Sequence, residues 1–117
     1  MSKIDYTIIT NIKYITTKDF DNTTLKYDGF CLVECVNGNR GQLQMMQPVL
    51  SRLIDSVPTK LKYMRIDINK QPFIVEQFYV LQSPSYLIFL NGQFIDRVDG
   101  IISYNDFSKR INGLLMP

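Results

Sequence analysis

The chain has 117 residues, of which 45% are hydrophobic and 21% charged, and its formal net charge is +2. This length and composition predict one globular domain over residues 1–117, and they exclude a disordered protein. The basic residues form no dense cluster, so nucleic acid is not an expected partner. No apolar run reaches the roughly 18 residues of a membrane-spanning helix, so a membrane partner is not expected either.

Histidine is absent, which removes the commonest general base and a common metal ligand. We therefore expect no metal site and no cofactor. The first residues carry an acid at Asp5 and no long apolar run, a pattern that is not typical of a signal peptide. The default expectation is a cytoplasmic, reducing compartment.

The first part of the chain predicts two strands with a short helix between them. Apolar residues over 7–15 give a weak strand signal. Thr16 and Asp19 form a variant of the capping box, which predicts a helix that ends at about Leu25. Residues 30–36 are a near-continuous apolar run, which is typical of a strand covered on both faces in the middle of a sheet.

A long helix follows this strand. Six apolar residues share the spacing of one helical face: Leu43, Met46, Leu50, Leu53, Ile54 and Val57. Pro48 lies inside this pattern, where it costs about 3 kcal/mol and predicts a kink near Gln44. Pro58 is expected to end the helix.

The remaining elements are a third strand over residues 61–68, a short helix with Pro72 in its first turn, a hairpin and a last helix. The hairpin strand begins at Pro84 and ends at Asn91-Gly92. This dipeptide favours a two-residue turn, so residues 94–98 should return antiparallel. Ser103 and Asp106 form the capping box of the last helix, whose apolar face includes Phe107 and Ile111.

The order of elements and a set of motifs in register resemble the thioredoxin family. The motifs are Asp19-Phe20-Asp21, residues 25–29, Leu32-Val33-Glu34, Gln47-Pro48-Val49-Leu50, residues 68–72, Ser83-Pro84-Ser85, Asn91-Gly92 and Gly100. The resemblance implies an α/β thioredoxin fold with a central mixed four- or five-stranded sheet in the order 1-3-2-4-5. It also implies helices on both faces and a cis-proline, Pro84, before strand 4.

The chain departs from the family at the redox motif. Where the family carries Trp-Cys-Gly-Pro-Cys, this sequence reads Asn39-Arg40-Gly41-Gln42-Leu43. Dithiol chemistry requires two sulfurs three residues apart at a helix N-terminus, and neither Arg40 nor Leu43 supplies one.

The two cysteines of the chain do not replace the missing pair. Cys31 and Cys35 lie four residues apart on one predicted strand, with Cα atoms about 13 Å apart. A disulfide needs less than ~7 Å. We expect both side chains to be inert and to act as small hydrophobic residues.

Two charged residues complete the resemblance. Glu34 occupies the strand that carries a buried aspartate in the family, and Arg65 occupies the position similar to the family's nearby lysine. In the family this carboxylate relays protons for the dithiol. Without the dithiol, the favoured interpretation is a buried ion pair between Glu34 and Arg65 that serves the structure.

The resemblance also implies a shallow groove that binds an extended peptide through main-chain groups. Its residues here would be Asn39, Arg40, Gly41, Gln42, Ser83, Pro84 and Gly100. We therefore interpret the chain as a redox-inactive thioredoxin-like protein that binds a protein or an extended peptide and has no catalytic residue. Two alternatives stay open: a protein related to thiol-disulfide oxidoreductases that acts through a single thiol or within a complex, and a purely structural subunit.

Overall fold

The computed structural model describes residues 12, 14–57 and 61–115. Within these residues the chain forms four strands and four helices, in the order α1 (Thr17–Phe20, continued as a π-helix over Asp21–Leu25), β1 (Phe30–Val36), α2 (Arg40–Ser56), β2 (Leu61–Asp67), α3 (Pro72–Gln77), β3 (Ser85–Leu90), β4 (Gln93–Asp99) and α4 (Tyr104–Leu115).

The four strands form one mixed sheet in the order β2-β1-β3-β4. β1 pairs parallel with β2 and antiparallel with β3, and β4 pairs antiparallel with β3. The predicted thioredoxin fold, with a mixed sheet between helices, is confirmed. The predicted first strand over residues 7–15 and the predicted stop at Pro58 lie wholly or mostly outside the described residues. Tyr14, which is described, forms an isolated parallel bridge with Arg65.

The sheet separates two apolar clusters, because alternate side chains of a strand point to opposite faces. Phe30 and Leu32 of β1 pack on one face, in the cluster that includes Leu50 of α2 and Phe107 of α4. Cys31, Val33 and Cys35 pack on the other face, in the cluster that includes Phe20 and Ile74. This arrangement explains why all seven residues of β1 are buried.

The first turn of helix α2 contributes to the candidate site, and the middle of the helix packs into the core. Met46, Leu50 and Leu53 of the predicted apolar face are buried. Pro48 lies within the helix, which runs from Arg40 to Ser56, so the helix resumes after the proline as predicted. The kink near Gln44 stays a prediction.

The turn between β3 and β4 requires glycine for two reasons. Asn91 and Gly92 have φ angles of 50° and 82°, the values that a two-residue hairpin of this type needs. A Cβ atom on Gly92 would also lie 2.0 Å from the main-chain oxygen of Leu25. The predicted antiparallel return is confirmed, with a bulge between Ile88 and Phe89.

The outer edge of β4 is blocked at Arg97 by two side chains of the same protein. Gly100 N donates to Pro84 O (2.7 Å), and bonded pairs alternate along an antiparallel ladder, so the main-chain groups of Arg97 point outward. Asp96 Oδ1 accepts from Arg97 N (2.8 Å), and Arg110 Nη2 donates to Arg97 O (3.2 Å). Arg110 Nε also donates to Asp96 Oδ2 at 2.6 Å. We call Asp96 and Arg110 the edge clamp.

Candidate functional site

The candidate site lies where β1 leads into α2. Asn39 is the N-cap of α2, and its Oδ1 accepts from Gln42 N (3.1 Å). Because the helix begins at Arg40, residues 40–43 form its first turn. Arg40 and Gly41 are exposed, whereas Gln42 and Leu43 are partly buried. The residues aligned with the family's redox motif therefore do lie at a helix N-terminus, but without sulfur.

Ser83 joins this turn to the segment that precedes β3. Its Oγ accepts from Asn37 N (3.0 Å) and donates to Gln42 Oε1 (2.9 Å). The bond between Ser83 and Pro84 is cis, and Pro84 is buried. The Ser83 side chain is fully engaged within the chain and fixes one wall of the site.

Gly100 completes the set from the end of β4. Its N–H donates to Pro84 O, and its φ is +89°. Hydrogen bonds thus connect Asn39 to Gln42, Gln42 to Ser83, and Pro84 to Gly100. Arg40 and Gly41 belong to the same turn. The Arg40 side chain forms no hydrogen bond with any other described residue, and Gly41 has no side chain.

The main chain of Ser83 is the free part of this arrangement. Among the residues that the structure describes, none forms a hydrogen bond with its N–H or its C=O. Ser83 is partly exposed. An unpaired N–H and C=O beside a strand can accept an extended chain by strand addition.

A buried polar row lies in the sheet next to the site. Arg65 Nε donates to Glu34 Oε1 (2.6 Å), and the Tyr86 hydroxyl donates to Glu34 Oε2 (2.8 Å). The three residues are 8%, 1% and 0% exposed in the order Arg65, Glu34 and Tyr86. We call them the buried row, because they are directly paired across β2, β1 and β3.

Electrostatics keep both partners of Glu34 protonated. Burial raises the pKa of Tyr86 far above its ordinary value, and the carboxylate of Glu34 raises it further. Burial is the largest single influence on the pKa of Arg65 and lowers it, but the charge and hydrogen bond of Glu34, together with Tyr63 and Tyr14, outweigh burial, and the net pKa is raised.

The sequence predicted the pair of Glu34 and Arg65, but Tyr86 was not identified as a second partner of Glu34. The position of Tyr86 opposite Glu34 follows from the register of β1 and β3. No local signal sets that register, because the Asn91-Gly92 turn fixes only the pairing of β3 with β4 and the Glu34–Tyr86 pair spans 52 residues.

The burial and the pKa values of the two thiols do not favour redox reactivity. Cys31 and Cys35 are 0% exposed and free, and they face the side of the sheet opposite Glu34. Burial raises the pKa of each thiol to about 12. At neutral pH both therefore remain protonated, and a protonated thiol is a poor nucleophile.

Residues 12, 14–57 and 61–115 contain no group of three or more His, Cys, Asp or Glu side chains that could hold a metal ion. Within the same ranges, no helix has the length and apolarity to cross a membrane.

A comparison with family sequence models identifies the family of this chain. The sequence model of the family described as Thioredoxin matches residues 11–113. The chain is 25% identical over 100 residues to thioredoxin Y1, chloroplastic, from Arabidopsis thaliana, covering 86% of this chain and 58% of that protein. It is 27% identical over 97 residues to the thioredoxin of Chlorobaculum thiosulfatiphilum, covering 83% of this chain and 90% of that protein. The chain thus spans 58% and 60% of the length of the Arabidopsis thioredoxins Y1 and Y2.

A solved structure with the same fold is the oxidized form of mitochondrial thioredoxin 3 from Saccharomyces cerevisiae. Its TM-score to this chain is 0.77, with 24% sequence identity, and the match covers 90% of this chain and 97% of the other. At this identity the likeness establishes the fold alone.

Proposed function

This chain belongs to the thioredoxin family, and we propose that it is a redox-inactive member that binds an extended segment of a partner protein in the groove beside Pro84. The main support for the proposal is that the first turn of α2 keeps its contacts to the Pro84 segment although it lacks the two sulfurs. The first turn of α2 and the Pro84 segment are joined through Ser83 and Gln42, while the dithiol positions hold Arg40 and Leu43.

The loss of redox chemistry is supported by the position of the thiols. Cys31 and Cys35 lie in β1, on the opposite face from Glu34, and their pKa values are raised to about 12 by burial. Neither thiolate is available near neutral pH to attack a disulfide. This burial also weighs against the alternative of an oxidoreductase that acts through a single thiol.

The binding role is supported by the main chain of Ser83. Its N–H and C=O have no partner among the described residues, and recognition by strand addition uses such groups rather than side chains. Replacement of the cysteines therefore leaves this recognition chemistry in place. We also propose a reducing compartment, the cytoplasm, which is compatible with the two free thiols.

Two assays test the redox half of the proposal. Insulin reduction with dithiothreitol should proceed at the uncatalysed rate, because the chain offers no reactive thiol pair. Thiol labelling of the native protein near neutral pH should be slow, with rapid labelling only after unfolding. A rate typical of thioredoxins in the first assay, or fast native labelling in the second, would refute redox inactivity.

Selection from an unbiased library of displayed peptides tests the binding half. The groove variant is Gly41→Trp, since Gly41 is exposed and has an ordinary helical conformation, and an added Cβ atom would meet only Asn39 Oδ1 at 3.3 Å. The matched control is Lys109→Trp, at an exposed position of α4. Selected peptides should bind wild type and the control but not Gly41→Trp. Peptides that bind all three proteins equally would place binding elsewhere.

A further inference from the structure

In the loop after β1 and the first turn of α2, three amide side chains accept hydrogen bonds through their oxygens but donate none through their nitrogens. Asn37 Oδ1 accepts from Asn39 N (3.0 Å), Asn39 Oδ1 accepts from Gln42 N (3.1 Å), and Gln42 Oε1 accepts from Ser83 Oγ (2.9 Å). A main-chain N–H can only donate, so the first two contacts fix which end of each asparagine is the oxygen.

The nitrogens of these three amides remain unpaired. None of the three NH2 groups has a hydrogen-bond acceptor among the described residues. Each of the three oxygens accepts one hydrogen bond within the chain, and six N–H donors are left for solvent or a ligand. We call Asn37, Asn39 and Gln42 the donor amides.

Arg40 adds a positive charge to this surface. It is exposed and takes part in none of the ion pairs among the described residues. Its guanidinium carries five further donors and no acceptor.

Asp99 and Asp67 both accept hydrogen bonds from residues outside the groove, namely Arg97 and Asn69. Asp99, which precedes Gly100, is bound by Arg97 Nη2 at 2.9 Å, and hydrogen bonding to Arg97 lowers its pKa. Asp67, at the end of β2, lines a separate cavity of about 220 Å³ together with Lys70. The groove residues themselves include no acid.

We propose that the groove selects extended protein segments that carry an aspartate or glutamate, whose carboxylate is received by Arg40 and the donor amides. This inference rests on the proposed function and adds the chemical class of the partner. A carboxylate offers acceptors only, so it complements the unpaired N–H groups of Arg40 and the donor amides. Arginine forms paired hydrogen bonds with a carboxylate that lysine cannot reproduce.

The test uses two fluorescently labelled peptides of equal length and identical sequence, except that glutamate in one is glutamine in the other. Fluorescence anisotropy measures binding to the wild-type protein at low and high salt. We expect the glutamate peptide to bind about fivefold more tightly at low salt, the scale of one partly exposed charge pair. The preference should shrink at high salt, because salt screens exposed charges.

Isosteric variants separate the donors from the fold. Asn39→Asp and Gln42→Glu keep the oxygen that accepts from Gln42 N or Ser83 Oγ, but they replace the NH2 group with a second acceptor that carries charge. Both should abolish or reverse the preference for glutamate. Arg40→Gln should abolish it, and Arg40→Lys should retain part of it. Lys70→Gln removes the same charge outside the groove residues and should leave the preference unchanged.

The outcomes distinguish this inference from the proposed function. If library peptides depend on Gly41 while the two test peptides bind equally, the groove function stands and the acidic preference is wrong. If the preference survives in Arg40→Gln and Gln42→Glu, the assignment to these residues is wrong. If neither test peptide binds, or only a phosphoserine version does, the proposed recognition of a carboxylate is refuted.

Discussion

The buried row and the donor amides are two groups of polar side chains that use their hydrogen-bonding atoms differently. The buried row lies within the sheet, centred on Glu34 of β1, and the donor amides follow the end of β1. In the buried row, the carboxylate oxygens of Glu34 are both used, one by Arg65 and one by Tyr86. In the donor amides, every oxygen is used and no nitrogen is. A closed network of this kind serves stability, whereas a network with unused groups of one type is suited to recognition. The predictions below test this difference.

The largest effect is expected in the buried row. Glu34→Ala leaves the guanidinium of Arg65 buried without a counter-charge, which typically costs about 3–5 kcal/mol. Urea denaturation should show this loss in the free energy of unfolding. The surface variant Lys70→Ala is the control and should stay close to wild type. Equal stability of the two variants would mean that the ion pair of Glu34 with Arg65 does not stabilise the fold.

A smaller loss is expected when only the hydroxyl of the row is removed. Tyr86→Phe keeps the ring against Phe107, with ring centroids 5.1 Å apart, but leaves one oxygen of Glu34 without its donor. A hydrogen bond to a charged group contributes about 1.5–3 kcal/mol. The same denaturation experiment measures the loss, with Phe107→Leu as a packing control that leaves the hydrogen bond intact. An unchanged midpoint for Tyr86→Phe would show that the hydrogen bond from the Tyr86 hydroxyl to Glu34 does not stabilise the fold.

The donor amides should respond differently to two changes at one position. Asn39→Ala removes the cap of α2 and should cost about 1 kcal/mol, whereas Asn39→Asp keeps an acceptor and should cost nothing or stabilise the helix. Thermal unfolding of both variants provides the measurement. If Asn39→Asp is as unstable as Asn39→Ala, the amide nitrogen contributes to the fold and is not reserved for a ligand.

The smallest energetic effect, and the sharpest test of register, comes from restoring the missing thiols. Arg40→Cys with Leu43→Cys places two thiols three residues apart in the first turn of α2, where Cβ atoms lie roughly 5–6 Å apart. We expect an internal disulfide after mild oxidation and weak insulin reductase activity, since the helix N-terminus favours the thiolate of the first cysteine.

Mass spectrometry detects the disulfide of this double variant, with the two single variants as controls. Cysteines that remain reduced, or that bridge only between molecules, would contradict the alignment of residues 40–43 with the redox motif of the family.

The fold could be predicted to a large extent because its signals are local. The spacing of Met46, Leu50 and Leu53 defines the buried face of α2, and Asn91-Gly92 defines the hairpin. The interior of β1 could be predicted from its unbroken apolar run, since a strand covered on both faces needs no alternation.

The chemistry of the site could be predicted only in part, because its contacts join residues far apart in sequence. The hydrogen bonds of Ser83 to Asn37 and Gln42 span 46 and 41 residues, and no pattern of residue types specifies them. The direction of each amide likewise depends on partners that exist only in the fold. The π-helical continuation of α1 at Asp21 and the bulge near Ile88 have no clear sequence signal either.

The edge clamp has a consequence for how this domain behaves in a crowded solution. An open strand edge is a template on which a second copy can extend the sheet, and it is a common start of aggregation. Asp96 and Arg110 occupy the outward main-chain groups of Arg97, so the middle of β4 cannot serve as such a template. A second copy could pair with β4 at this point only after the hydrogen bonds of the edge clamp to Arg97 had broken.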